Sequence, residues 1–209
     1  SRAKKVIAVE KDKNLVRVLE GLTVGMKNVE TIHADILELN LSRIPTFQHS
    51  YKVVANLPYY ITAPTIRKFL EAQQKPQQMT LIVQKEVAQR ICAKPPQMSI
   101  LAVSVQVYAT PKIISYIKKT SFWPQPMVDA AILQITPLST SYALDSHKFF
   151  RVVKAGFKQP RKQLVNNLTK ELGLQRQRAE QWLLANDIQP TRRAETLTVQ
   201  DWLNLTSTL

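Results

Sequence analysis

Short apolar runs alternate with amphipathic stretches through the first two thirds of the chain. Amphipathic stretches alone fill the rest. Residues 6–9 and 29–33 read as short strands, and Val53-Val54-Ala55 leave no polar face, so this run reads as a buried strand ended by Pro58, which has no N–H for a ladder. Between the first two strands, Lys11-Asp12-Lys13 leads into a helix with Leu15, Val18, Leu19 and Leu22 on one face. Thr62-Ala63-Pro64 opens the next helix, with Thr62 as its expected cap and Ile66, Phe69 and Leu70 as its apolar side. A strand over 79–83, helices over 85–92 and 99–108, and strands over 112–116 and 130–135 complete an α/β pattern. Pro137, Ser139, Thr140 and Ser141 then mark a domain boundary. Beyond it no strand candidate remains. Gly173 is placed to end one helix and Thr198 to cap the last. The expected division is residues 1–138 and 145–209.

Composition narrows the partners. The chain has 209 residues, 44% of them hydrophobic, enough for a real core, and a formal net charge of +14. Such an excess of cations suits a polyanion, and nucleic acid above all. The single cysteine, Cys92, allows no internal disulfide and no zinc cluster, and the three histidines have no metal-ligand spacing. No stretch is long and apolar enough for a membrane helix, and nothing reads as a signal peptide. A soluble, monomeric, cytoplasmic protein without a metal is expected. Only four glycines occur, few for an α/β domain of this size.

Three places carry candidate chemistry. At the end of the third strand, Asn56-Leu57-Pro58-Tyr59 delivers an amide, a fixed turn and an aromatic ring together, where open α/β sheets hold their ligands. The Asn56 oxygen and the Pro58 carbonyl can accept both hydrogens of a flat base's amino group while Tyr59 stacks on the ring. The same four residues also make an ordinary strand–turn with an aromatic cap. Glu10 closes the first strand and Asp35 sits just past the second, placed for ribose hydroxyls and an adenine amine; Glu10 also suits a helix start, and Asp35 taken alone reads first as a turn residue. The third place is residues 118–129, where Lys118 and Lys119 precede Phe122, Trp123 and two prolines. Basic residues mixed with aromatics suit a flipped or single-stranded base, and a stiff connector fits the pattern too. Further on, Lys148, Arg151, Lys154, Lys158, Arg161 and Lys162 recur at roughly helical spacing with no acid among them, on a segment expected to be bent or broken at Pro160.

Taken in order, these motifs resemble the KsgA/RsmA-type small-subunit rRNA adenine dimethyltransferases. Val6-Ile7-Ala8-Val9-Glu10 is similar to that family's second strand with its ribose acid, Ala34-Asp35-Ile36 to its adenine-contacting turn, and Asn56-Leu57-Pro58-Tyr59 to its catalytic motif. Gln84-Lys85-Glu86-Val87-Ala88 resembles the segment after its fifth strand, and Phe122-Trp123-Pro124-Gln125-Pro126-Met127-Val128-Asp129 its substrate-base loop. Phe157-Lys158-Gln159-Pro160-Arg161-Lys162 with Asn166-Asn167-Leu168 resembles its basic motif, and Arg192-Arg193-Ala194-Glu195-Thr196-Leu197 the segment before its last helix.

The resemblance implies a Rossmann-like S-adenosylmethionine-dependent methyltransferase sheet with a small all-helical C-terminal domain. It implies dimethylation of adenines in small-subunit rRNA and a role in rRNA processing and ribosome biogenesis. Asn56, Leu57, Pro58, Tyr59 and Phe122 would be catalytic. Glu10, Lys11, Asp35, Ile36 and Asn56 would hold S-adenosylmethionine, and Lys118, Lys119, Lys158, Arg161 and Lys162 would meet rRNA of the small-subunit precursor. The chain departs from the family in having no glycine-rich loop after a first strand, which marks it as an expected N-terminally truncated form that can itself be inactive. Ala34 and Pro160 also replace the usual residues. A macrolide-resistance-type large-subunit rRNA methyltransferase and a non-catalytic rRNA-binding or ribosome-assembly module are the competing readings.

Overall fold

The computed structural model describes residues 3–139 and 145–209; the part of the boundary segment at 140–144 lies outside the described residues. Strands β1 (Val6–Glu10) and β2 (Val29–His33) pair in parallel, from Val6 opposite Val29 to Glu10 opposite His33. Helix α1 (Lys13–Leu22) connects them. Asp12 caps it by accepting the N–H groups of Asn14 and Leu15, which relieves two orphan donors.

A second, four-stranded sheet holds β3 (Lys52–Asn56), β4 (Gln78–Gln84), β5 (Ala109–Ile117) and β6 (Ala130–Pro137) in the order β3-β4-β6-β5. The β3–β4 pair is parallel and both pairs made by β6 are antiparallel. Helix α2 (Thr62–Leu70) makes the β3-to-β4 crossover that a parallel pair requires. Helices α3 (Lys85–Ile91) and α4 (Ile100–Gln106) follow β4. Met79, Leu81 and Val83 alternate along β4 and are fully buried with Leu133 and Ile135 of β6 and Ile66, Phe69 and Leu70 of α2. Each such side chain contributes roughly 1.5–3 kcal/mol by leaving water.

The remaining elements are helical: α5 (Ser146–Gly156), α6 (Leu164–Leu172), α7 (Arg176–Leu184) and α8 (Val199–Thr208). Phe149, Leu164, Leu168, Leu183 and Trp202 form their core. Helix α4 serves both cores. Its Val105 lies in the sheet core, while Ala102 and Val103 lie in the helical one. Gly173 ends α6 in the left-handed conformation at φ 68°, and Thr198 with Asp201 forms a complete capping box on α8.

Several expectations need correction. Val54 is 82% exposed, so β3 is not a buried strand: it pairs with β4 on one edge, and no described strand pairs with the other. Leu15, Val18 and Leu22 of α1 are exposed, and the residue that α1 buries is Val16. Ile61, not Thr62, occupies the N-cap of α2; Thr62 is its first helical residue and is buried. The expected break around Pro160 is present but begins earlier: α5 ends at Gly156, so Lys148, Arg151 and Lys154 lie on it while Lys158, Arg161 and Lys162 lie in the turn beyond.

Gly156 sits where α5 crosses α8. A Cβ there would collide with Trp202 Cη2 and come within 2.9 Å of Trp202 Cζ3 and 3.1 Å of Leu164 Cδ1. Gly156→Ala should destabilise the protein by about 1–3 kcal/mol, because a packed core resists an added methyl. Gly21→Ala, where no atom lies within 4 Å of the added carbon, should stabilise it by up to about 1 kcal/mol. Thermal unfolding of both variants checks the pair. Equal melting temperatures would refute the close α5–α8 approach.

Candidate functional site

Three strand ends build the site. Glu10 closes β1, and its Oε1 accepts the N–H groups of Lys11 at 2.7 Å and Asp12 at 2.8 Å. This fixes the carboxylate at the start of α1. Across the pair, the Ala34 N–H donates to the Glu10 carbonyl at 3.0 Å, which carries the ladder one residue past β2 and sets Asp35 beside Lys11. Asp35 Oδ2 accepts from Lys11 Nζ at 2.8 Å and Oδ1 from the Leu37 N–H at 2.8 Å. The Lys11 ammonium and then the Leu37 N–H hold the Asp35 carboxyl below its ordinary value, and Asp35 raises that of Lys11. Ile36 packs against the sheet core, and Lys68 of α2 donates to the Leu37 carbonyl at 2.8 Å. Glu10, Lys11, Asp35 and Ile36 are thus brought together. The Lys68 bond ties α2, the helix that follows β3, to the segment just beyond Asp35.

At the end of β3, Asn56 is exposed, and its side chain makes no hydrogen bond among the described residues. Leu57 is buried and anchors the turn, its N–H directed at the Ile82 carbonyl at 3.4 Å. The Pro58 carbonyl accepts the Ile61 N–H at 3.1 Å in a 3-10 turn, so a base amine would use its second lone pair. Tyr59 is half-buried.

Sheet register delivers the second aromatic. Asn56 lies opposite Ile82 of β4, and Gln84, two residues on, lies opposite Ala130 at the start of β6. The loop that carries Phe122 therefore reaches the sheet two strands from the Asn56 turn, roughly 10 Å away. Asp129 closes that loop. Its Oδ1 accepts the Lys119 N–H at 3.1 Å, its carbonyl accepts the Lys85 N–H at 3.0 Å, and Lys85 Nζ lies 3.9 Å from Oδ2. Phe122 is half-buried and Lys118 and Lys119 are exposed.

Lys158, Arg161 and Lys162 stand on a different element, the exposed turn between α5 and α6. Asn167 holds that turn: buried on α6, its Nδ2 donates to the carbonyls of Gly156 at 2.7 Å and Gln159 at 3.0 Å. Its positioning role was not anticipated from sequence, although an asparagine flanked by Leu164, Val165 and Leu168 on an apolar helix face is a signal for a buried, partnered amide. Lys85, which links Asp129 to the Tyr116 ring at 5.6 Å, was equally unanticipated. Burial pushes the Cys92 thiol upward. Among the described residues no helix is long and apolar enough to cross a membrane, and no group of His, Cys, Asp or Glu could hold a metal ion.

Acids at the carboxyl ends of a parallel strand pair, together with a mixed four-stranded sheet and a set of helices, fit a Rossmann-like α/β protein. Comparison with known proteins agrees. Solved structures of a dimethyladenosine transferase from Plasmodium falciparum and of the 23S rRNA methyltransferase ErmE superpose with TM-scores of 0.81 and 0.76. They cover 97% and 100% of this chain and 81% and 83% of theirs, each at 22% identity, which establishes the fold. Sequence goes further. The family model for ribosomal RNA adenine dimethylase matches residues 1–209. The ribosomal RNA small subunit methyltransferase A of Dehalococcoides mccartyi is 41% identical over 98% of this chain and 71% of its own length; that of Alkaliphilus oremlandii is 37% identical over 96% and 73%. The chain belongs to the ribosomal RNA adenine dimethylase family, whose members are S-adenosylmethionine-dependent methyltransferases.

The Lys11–Asp35 pair makes a direct prediction. Its contribution through Asp35 is present above the ordinary carboxylate range and is lost as pH falls through the lowered Asp35 value. Lys11→Met should move the Asp35 titration midpoint upward, as read by carboxyl-carbon NMR. An unmoved midpoint would mean that Lys11 does not hold the carboxylate.

Proposed function

We propose that the protein transfers methyl groups from S-adenosylmethionine to the exocyclic nitrogen of adenines in small-subunit rRNA, giving dimethyladenosine. The carrying observation is Asn56: an exposed side-chain amide with no partner among the described residues, held at a strand end beside a half-buried tyrosine in a chain of this family.

The residues present fit the nucleoside half of the cofactor. Glu10 keeps Oε2 for ribose hydroxyls while Oε1 is tied to backbone, and Asp35 is a carboxylate acceptor for an adenine amine once Lys11 shares it. Ile36 offers an apolar face. None of the four glycines, at 21, 25, 156 and 173, follows a described strand, so no glycine turn here cradles the methionine half. The sulfonium of S-adenosylmethionine supplies an activated methyl group when bound.

The chain's own work is alignment of the acceptor. Asn56 Oδ1 and the Pro58 carbonyl take the two hydrogens of the amine and draw its lone pair out of the ring. Leu57 anchors the turn. Tyr59 and Phe122 enclose the base, offsetting the cost of unstacking it, since each stacking contact contributes roughly 1–3 kcal/mol. Lys118 and Lys119 at the sheet, and Lys158, Arg161 and Lys162 on the helical part, bind phosphates of the same RNA. The two parts, 1–138 for catalysis and 145–209 for RNA, act together. A free cysteine suits the reducing cytoplasm, and the charge of +14 keeps copies apart as monomers. The 41% identity to small-subunit enzymes favours that substrate over the 23S alternative, whose likeness is one of fold.

Asn56→Ala should lower methyl incorporation into small-subunit rRNA by about 100-fold or more while RNA affinity stays within twofold of wild type. Equal loss of both would remove Asn56 from the acceptor site. Replacing both Arg161 and Lys162 by Gln should lower the slope of log affinity against log salt by about 1.5, the counterion release of two phosphate contacts. An unchanged slope would place the RNA surface elsewhere.

A further inference from the structure

Phe122 accounts for one aromatic of the 118–129 loop. Its neighbour has no such role. The Trp123 side chain is 97% exposed and Met127, four residues on, is 91% exposed. An indole held fully in water is unusual, and such residues are enriched where a partner covers them. The backbone explains the separation. Phe122 is extended, at φ −114° and ψ 149°. Successive side chains on an extended backbone point to opposite sides. Phe122 therefore turns toward the protein and Trp123 away from it, and one base cannot stack on both.

The surroundings select the partner. From residue 87 to residue 144 the sequence contains one acid, Asp129, against five cations, Arg90, Lys94, Lys112, Lys118 and Lys119. That acid is already engaged by the Lys119 N–H and the Lys85 ammonium. Tyr116 at the end of β5 is 54% exposed beneath Lys85. A flat aromatic and a polarisable thioether, set beside exposed lysines with the local negative charge neutralised, match a base attached to a phosphate chain.

We propose that Trp123 is a second stacking station that takes an unpaired nucleotide flanking the target adenine, while Phe122 and Tyr59 take the target itself, with the exposed Met127 on the same loop. The inference rests on the RNA-methylating reading above and extends it to a residue that reads the strand next to the reacting base. Unpaired RNA is therefore required on both sides of the loop, and the loop is a place where the enzyme discriminates open from paired substrate.

The test uses tryptophan emission. Trp202 is fully buried and Trp182 is nearly so, leaving Trp123 as the water-exposed indole. A single-stranded oligoadenylate is titrated into the chain, with binding followed independently by anisotropy of a label on the RNA. The expected result is quenching of the red-shifted emission in step with binding. Trp123→Ala should remove the quench and weaken binding roughly five- to hundredfold, and Trp123→Phe should restore most of the affinity because a ring remains. Binding without quenching, with Trp123→Ala unchanged, would overturn the stacking station and leave the proposed function standing. Equal quenching by a fully paired duplex would overturn the claim for an unpaired base. Quenching by phosphatidylglycerol vesicles but not by RNA would assign the face to a membrane and overturn it. Absence of any RNA binding would remove both this inference and the RNA-binding reading on which it rests.

Discussion

Strand β4 is hydrogen-bonded along both edges, in parallel to β3 and antiparallel to β6, and its inward side chains are fully buried. The candidate site depends on that double pairing. A one-residue slip of β3 against β4 would turn Asn56 to the other face, and a slip of β6 would move the loop that carries Phe122. The fully buried Met79, Leu81 and Val83 pin the register of β4, because a one-residue slip would replace each with a half-buried neighbour. The ordinary hydrophobic core thus sets the distance between an amide on one strand and an aromatic two strands away.

The electrostatic part of the site is organised differently. Glu10 accepts two backbone N–H groups on one oxygen, and Asp35 accepts one backbone N–H and the Lys11 ammonium. Backbone donors pre-orient the carboxylates without consuming both oxygens, and Lys11 keeps the Asp35 charge in place. This is preorganisation by local hydrogen bonds on a small two-stranded unit. The basic turn at 158–162 is held by the same logic from a buried amide, Asn167, whose two carbonyl partners leave the cations free to face solvent.

Helix α4 joins these regions. Its two apolar faces lie in different cores, so the sheet that carries the proposed acceptor turn and the helices that carry the basic turn share one element. In the proposed function, an RNA touching both is registered by packing rather than by a flexible link.

Much of this was legible in the residues. Element types follow from apolar periodicity and from Gly173, Thr198 and Pro58, because capping and proline chemistry are local. The motif order around Glu10, Asp35, Asn56 and Phe122 was enough to indicate the family, and hence a Rossmann-like sheet. Burial was misjudged where it depended on neighbours. Val54 and the apolar side of α1 have the composition of a core, yet they stand exposed because coverage is a property of what packs on an element, not of the element. The sequence by itself determined the elements, the charge and the order of motifs that marks the family. Only tertiary structure decided that Lys11 pairs with Asp35 across 24 positions, that Asn167 turns inward, and that Phe122 and Trp123 part to opposite sides. These outcomes arise from strand register and backbone dihedrals, which bring distant residues together or turn adjacent ones apart.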